Sequence, residues 1–504
     1  MSRGTEVGSA TSVRLRLVTI RKADTAHSKF GLRVPSLAMA DSPSPLPDPL
    51  PITAISRRFD VSIRPPGSKS LTNRALLLAA LARGTSTLHN PLTDADDAKR
   101  MLAAITTLGA QVSSDPSAPH TLHITGVGGQ WHVGNQPITL DLGNAGTATR
   151  FLAAAAMLAP CRSDGSGGVV IDGNTRMRER PIGELANAIT ALGGRVEFRG
   201  RDGYPPIHIH PVDPASLKSE VTFARTASSQ FISALMLIAP WLSRGLTIKF
   251  SEPPTSPSYI EMSAALLRRC GAQVKGATPG PITIFPAGSP AAPGLDAFSY
   301  DIEPDASGAT YFWAAAAICP GSRVLVPGLW LDGGNGACSL QGDTAFVRLL
   351  HRMGAAIEFT ASGIAVRGPD MLRGIEADLS LMPDAAMTLA AVACFAKGRT
   401  RLSGLRTLRV KETDRIAAMI TELSKTGAKV ESFSTGNDEG LSITPPDPLS
   451  TPIEFDTYDD HRMAMSLALI GLRRSGVAIR DPGCVAKTYP TFWQDFSQLR
   501  MPRI

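Results

Sequence analysis

The stretch Gly67-Ser68-Lys69-Ser70-Leu71-Thr72-Asn73-Arg74 sets a lysine between two serines and an arginine five residues further on. Gly, Lys and Ser in one loop suggest phosphate chemistry. The spacing excludes a nucleotide P-loop, because there the Lys directly follows the second Gly. Here Ser68 intervenes, and the position five before Gly67 is Ser62. The underlying physics still applies. Gly67 permits close backbone approach, Ser68 and Ser70 are good N-cap residues, and the apolar run Leu76–Leu81 predicts a helix starting just before Arg74. A helix N-terminus with Lys69 and Arg74 beside it is an anion site. An ordinary capped surface helix fits the same stretch, so the remaining chain must decide.

Further polar groups stand at the entries to other apolar runs. They are Asn144, Gly146, Thr147 and Arg150 in "LGNAGTATR"; Ser228, Ser229 and Gln230 in "TASSQ"; Asp305; Asp384; and Asp459, Asp460, His461 and Arg462 in "YDDHRM". Simple capping does not call for a Lys, three Arg and a Gln. Arg176, Arg178 and Arg180 in "RMRERP", Lys411 and Arg415 in "LRVKETDR", and Lys487 in "CVAKTYP" add cations. Lys411 and Arg415 are spaced i, i+4, which predicts one helical face with Glu412 beside them. Arg forks and Lys point charges in such number fit a substrate carrying phosphate and carboxylate groups. Asp384 and Glu412 are the acid/base candidates. Neighbouring cations would keep one ionised, and burial could raise the other so that it donates a proton. No Ser-His-Asp order or nucleotide fingerprint occurs, and the Arg next to "YDDH" argues against a cation there.

These residues are positioned by a repeat. An Ala/Leu-rich helical run, then Gly, then a β-like run recurs six times, with helices beginning near residues 73, 148, 229, 309, 385 and 461. A second helix, ending at Gly109, Gly193, Gly271, Gly354 or Gly427, alternates with the first. The chain ends where a sixth copy would continue, and "TFWQDFSQLR" reads as its remnant. The first set of helices is apolar nearly all round and is therefore expected to be buried. Six units of two helices and short strands fit two α/β domains of three units each.

Bulk properties narrow the class. The 504-residue chain is 43% hydrophobic and 19% charged, as globular proteins are. No apolar run approaches the ~18 residues that span a membrane. The six cysteines show no Cys-x-x-Cys spacing, so neither a zinc site nor a disulfide scaffold is indicated. The net charge of +7 belongs mostly to residues 1–40, where seven Lys/Arg face two acids. Nucleic-acid binding is therefore disfavoured, and the low aromatic content of 6% argues the same way. This Arg/Ser/Thr-rich segment reads either as a transit peptide or as sequence ahead of a start at Met39. With the proline-rich stretch 41–51, it is expected to be a disordered or transit-like extension over residues 1–50. The expected location is cytoplasmic, or plastid if that extension is a transit peptide.

Eight segments, "PPGSKSLTNRALLLAALARG", "LGNAGTATR", "RMRERPIGEL", "SSQFISALM", "MPDAAMT", "LRVKETDR", "DDHRMAM" and "CVAKTYP", resemble in order the motif set of the 5-enolpyruvylshikimate-3-phosphate synthases, from about residue 52 to 496. The resemblance implies a two-domain inside-out α/β barrel with three βαβαββ units per domain. One domain would comprise 51–66 and 299–504, the other 67–298, with the active site in the cleft between them. It implies transfer of the enolpyruvyl group of phosphoenolpyruvate to the 5-hydroxyl of shikimate 3-phosphate through a tetrahedral intermediate, by a monomer needing no metal or organic cofactor. Carried over by position, Lys69, Ser70, Arg74, Ser228, Ser229, Gln230, Ser256, Tyr259, Asp384 and Lys411 would bind shikimate 3-phosphate. Lys69, Gly146, Arg180, Gln230, Arg415, Arg462 and Lys487 would bind phosphoenolpyruvate. Lys69, Asp384 and Glu412 would be catalytic, the two carboxylates sharing proton transfer in an order that sequence leaves open.

Three positions depart from the family's commonest pattern. Thr407 replaces an Asn expected at the shikimate phosphate, Thr149 replaces Met, and Phe151 replaces Pro behind the Gly146 loop. Altered sensitivity to glyphosate, which competes for the phosphoenolpyruvate pocket, is the expectation. Two rivals are weighed. The UDP-N-acetylglucosamine enolpyruvyl transferases typically use a loop cysteine, and no such loop is present here. An inactive metabolite-binding relative would not need the acid/base pair.

Overall fold

The computed structural model describes residues 46–289, 292–331, 338–436, 438–445 and 452–500. The readings of residues 1–45, Met39 included, lie outside the described residues. The six Ala/Leu-rich runs form α1 (Lys69–Leu81), α3 (Gly146–Ala155), α5 (Ser229–Ile238), α7 (Ala306–Ile318), α9 (Ala386–Ala393) and α11 (His461–Arg473). The alternating runs form α2 (Asp96–Thr107), α4 (Gly183–Leu192), α6 (Pro257–Arg269), α8 (Phe346–Arg352) and α10 (Arg415–Ser424). The terminal remnant makes a short α12 (Phe492–Ser497). After each helix of the second set the chain turns through a Gly with positive φ, between 86° at Gly427 and 112° at Gly354. Only Gly takes that conformation without a Cβ penalty, so these glycines stop their helices.

The strands repeat one plan. Ile138–Asp141 runs parallel to Val169–Asp172, which pairs antiparallel with Ile207–His210, itself antiparallel to Arg195–Phe198. This unit therefore reads strand, helix, strand, helix, strand, strand, with the last two strands exchanged in the sheet. Five four-stranded sheets share this order among the described residues. Two of them trade their first strands. Asp60–Ser62 pairs with Arg323–Pro327, whereas Ser299–Asp301 pairs with Thr85–His89. The last unit is closed by the N-terminal strand Leu50–Ile52, antiparallel to Val477–Ile479. The extension expected over 1–50 is thus corrected at its end. Leu50 is in a strand, and the Asp48 carboxylate accepts from the Asp481 amide at 3.0 Å.

The result is a mixed α/β fold with helices inside and sheets outside, as expected. All thirteen residues of α7 are buried. By contrast, Glu220–Phe223 alternates exposed and buried along the strand. Two apolar cores form. One draws on residues 52–63 and 306–499, where α7, α9 and α11 pack together; the other draws on residues 71–302, where α1, α3 and α5 do. Small side chains let these helix axes approach closely. Cutting a large side chain such as fully buried Leu77 to Ala would cost about 2–5 kcal/mol. The chain passes between the cores twice, side by side. The Ser68 amide donates to the Glu303 carbonyl at 2.8 Å and the Asp305 amide to the Pro66 carbonyl at 2.8 Å.

Candidate active site

The entries of α1, α3, α5 and α6 from one core, and of α9, α10 and α11 from the other, converge on two adjoining cavities. The first is lined by Lys69, Ser70, Arg74, Thr147, Ala227, Ser228, Ser229, Gln230, Ser256, Tyr259, Asp384, Thr407 and Lys411. The second is lined by Lys69, Asp97, Gly146, Thr147, Arg180, Gln230, Asp384, Lys411, Glu412, Arg415 and Arg462. Five cations there face three carboxylates, an excess that suits an anionic ligand. All the residues named from sequence for shikimate 3-phosphate line the first cavity. Those named for phosphoenolpyruvate line the second, except Lys487, which stands behind Asp97 with Nζ 3.3 Å from its carboxylate.

Local structure explains several placements. Ser68 caps α1, Ser228 caps α5 by accepting from the Gln230 amide, and Asp460 caps α11 by accepting from the Arg462 amide. Gly146 opens α3 with Arg180 against it. A Cβ at residue 146 would lie 2.6 Å from Arg180 Nη2, so a side chain there would push the guanidinium away. Arg180 in turn donates to Asn144 Oδ1 at 2.9 Å.

Asp384 is the electrostatic centre. Its carboxylate lies 3.0 Å from Arg462, 3.1 Å from Arg415 and 3.3 Å from Lys411, and the Tyr259 hydroxyl donates to it at 3.4 Å. Glu412 pairs with Arg415 at 3.0 Å and lies 3.9 Å from Arg180. Burial by itself raises both carboxyls, but the cations outweigh it. Arg462, Lys411, Arg415 and Lys69 hold Asp384 well below the usual range, and Arg180, Arg415 and Lys487 do the same for Glu412. The expectation that burial would leave one of the pair protonated is therefore corrected for the unliganded cleft, where both are ionised.

Other expectations are corrected too. Lys411 and Arg415 do not share a helical face. Lys411 is extended, and α10 begins only at Arg415 because the Asp414 side chain caps it, accepting from the Ala417 amide at 3.0 Å. The two cations still meet, at Asp384. Asp384 itself is no N-cap, since a 3₁₀ turn over Pro383–Ala385 leads into α9. Arg150 is structural. Buried, it donates to the Pro181 carbonyl at 3.0 Å and the Gly146 carbonyl at 3.3 Å. Arg178 is exposed and paired with Asp172. Thr149 donates back to Ala145 within α3, and the buried Phe151 ring lies 5.1 Å beneath the Arg74 guanidinium.

Sequence reasoning missed Asp97 and undervalued Asp460 and Arg176. Asp97 lies in the first turn of α2, where an acid reads as a helix-dipole partner. Folding instead buries it between Lys69 and Lys487, 3.3 Å from each. Asp460 holds Arg415 through both carboxylate oxygens, at 2.7 and 3.1 Å. Arg176 crosses between the cores, donating to the carbonyls of Glu412 and Lys411, each at 2.9 Å. Beyond Asp97's place in the first turn of α2 and Asp460's at the entry of α11, nothing local marks which partners these residues meet.

Fold and site together define a class: a two-core α/β enzyme whose cleft gathers cations around an ionised carboxylate pair for group transfer between anionic substrates. Comparison with known proteins agrees. The family model for EPSP synthase (3-phosphoshikimate 1-carboxyvinyltransferase) matches residues 53–496. A 3-phosphoshikimate 1-carboxyvinyltransferase of Thiobacillus denitrificans is 42% identical over 460 residues, covering 88% of this chain and 97% of that one. One from Vibrio cholerae is 42% identical over 89% of this chain and 98% of its own length. The solved EPSP synthase of Acinetobacter baumannii superposes with a TM-score of 0.69 at 26% identity, over 89% of this chain and 98% of that one. The chain belongs to the EPSP synthase family.

Proposed function

We propose that shikimate 3-phosphate occupies the first cavity and phosphoenolpyruvate the second, with the acid/base chemistry at their junction. As a 3-phosphoshikimate 1-carboxyvinyltransferase, the chain moves the enolpyruvyl group of phosphoenolpyruvate to the 5-hydroxyl of shikimate 3-phosphate and releases phosphate. The observation that carries the assignment is that Asp384 lines both cavities, whereas Glu412 lines only the second. Ser70, Arg74, Ser228, Ser229, Gln230, Ser256, Tyr259 and Lys411 then hold the acceptor. Lys69, Gly146, Arg180, Gln230, Arg415, Arg462 and Lys487 hold the donor.

In this reading, ionised Asp384 takes the 5-hydroxyl proton as that oxygen bonds to C2 of the donor. Glu412 gives a proton to C3, completing the tetrahedral intermediate. The C2–O bond to phosphate then breaks, its electron pair leaving with phosphate beside Lys69, and the proton that Asp384 took passes to it, so that it departs as hydrogen phosphate. Glu412 takes a proton back from C3 and the double bond re-forms. Glu412 gains its first proton because the donor's phosphate and carboxylate neutralise Arg180, Arg415 and Lys487. With those cations offset, burial raises its pKa.

We further propose that the two cores are two domains, 51–66 with 299–504 and 67–298. Their hinge would be the paired passage at Ser68 and Asp305. The active form is proposed to be a monomer. Lys487, donating to the Asn144 carbonyl at 2.8 Å, and Arg176 would latch the closed form.

The test is phosphate release from phosphoenolpyruvate with shikimate 3-phosphate or UDP-N-acetylglucosamine in parallel, followed by turnover in D₂O. Release with shikimate 3-phosphate alone is expected. D384N and E412Q should both lose turnover, and E412Q should lose deuterium incorporation at C3. An E412Q enzyme that exchanges C3 hydrogens at the wild-type rate refutes the division of roles.

A further inference from the structure

Among the described residues, one group of three His, Cys, Asp or Glu side chains has the spacing to hold a metal ion: Glu197, His208 and His210. We propose that these residues form a binding site for a divalent first-row transition ion, with Zn²⁺ as the best fit, on the outer face of the second unit's sheet. The strand Ile207–His210 sends Ile207 and Ile209 into the core, so His208 and His210 share the opposite face. Glu197, on Arg195–Phe198, is the register partner of His208. One Glu197 carboxylate oxygen lies 3.1 Å from His210 Nε2 and 3.8 Å from His208 Nδ1, and all three donor atoms fall within 4.8 Å of one another. Zinc held tetrahedrally at about 2.0–2.1 Å from each donor would separate them by roughly 3.3 Å. Small side-chain rotations close that difference.

The surroundings prepare the ligands. His208 Nε2 lies 3.1 Å from the Gly167 carbonyl oxygen, which can only accept. Nε2 therefore carries the proton, and the Nδ1 lone pair faces the carboxylate, the arrangement a metal-ligating imidazole requires. Gly168 makes room for the ring, since a Cβ there would stand 2.9 Å from His208 Nε2. One competitor occupies the position. Arg199 donates to His208 Nδ1 at 3.1 Å. Its side chain is 40% exposed and free to swing into water when a metal takes the lone pair. Imidazole and carboxylate donors together suit Zn²⁺ or a neighbouring transition ion over Ca²⁺ or Mg²⁺. Three protein ligands leave the fourth position to water. None of the three lines the transfer cleft, so the ion would act as a structural clip joining two strands and the 167–168 turn.

The experiment uses full-length protein stripped with a chelator, with the exposed Cys161 and Cys338 changed to Ser to remove competing thiols. Zn²⁺ is titrated by calorimetry, and Co²⁺ by visible absorption. One equivalent of Zn²⁺ is expected, with a tetrahedral Co²⁺ spectrum lacking thiolate bands and a raised Tm. H210A and E197Q, at sites that are not fully buried, should abolish that equivalent, whereas R199A should tighten it. Phosphate release should be unchanged in H210A. No binding, binding unaltered in H210A and E197Q, or weaker binding in R199A overturns the proposal. Loss of phosphate release in folded H210A overturns the separation from the cleft.

Discussion

Asp97 offers the sharpest test of how the cleft is held. Its carboxylate is 1% exposed and lies 3.3 Å from both Lys69 and Lys487, which come from different cores. Asp97→Asn keeps the shape and removes the charge, leaving two ammonium groups together in a poorly solvated place. Removing one partner of a buried ion pair costs about 3–5 kcal/mol. The lysines retain some solvent contact, at 12% and 10% exposure, so about 3 kcal/mol is the expected loss in the free enzyme. Bound substrates bring a phosphate and a carboxylate that take over both lysines, so the deficit should shrink to about 1 kcal/mol in the ternary complex. Loss of the tie across the cleft also misplaces Lys69 and Lys487, worth about 10- to 100-fold in kcat/KM for phosphoenolpyruvate. Urea unfolding with and without substrates reads the first effect, and phosphate release the second. Asp96→Asn, at the exposed neighbour, is the control and should change neither. Equal destabilisation of free and liganded enzyme, or an unchanged kcat/KM, refutes the reasoning.

Two further outcomes follow from buried groups beside the cleft. Burial, with Asp384 adding to it, pushes Asp343 up to about 7. The folded protein then keeps a proton that the unfolded chain releases near ~4, so this residue's contribution to stability falls as pH rises from about 4 to 7 and is level above that. Asp343→Asn should therefore match wild type near pH 5 more closely than at pH 8, where it should be the more stable; parallel Tm profiles over that range refute this. Thr407 lines the first cavity with its buried hydroxyl lacking a hydrogen-bond partner among the described residues. Thr407→Val should stabilise the free enzyme by about 1 kcal/mol and weaken shikimate 3-phosphate about tenfold. Unchanged affinity by calorimetry means the hydroxyl does not serve the ligand.

Local chemistry made much of this protein legible in one dimension. The Ala/Leu runs, the serine and aspartate caps and the glycines that end alternate helices are short-range features, so the six-unit plan could be read directly. The cations were visible because Lys69, Arg180, Arg415 and Arg462 sit at or beside helix entries. What escaped was every relation between distant segments. The break between Lys411 and Arg415 depends on Asp414 capping a new helix, which the i, i+4 spacing concealed. Strands 60–62 and 299–301 change partners because the chain passes twice between two cores, a choice made by packing and not by propensity. Asp97 has the look of a surface helix acid until folding sets it between Lys69 and Lys487. The ionisation of Asp384 and Glu412 was the hardest to foresee. Burial and nearby charge act in opposite directions on a carboxyl, and only distances of 3.0–3.9 Å to several guanidinium and ammonium groups decide which prevails. Short-range chemistry sets which elements form and which groups are on offer; long-range packing sets which of those groups meet, because electrostatic energy depends on separation and solvent exclusion, and neither is a property of neighbouring residues in the chain.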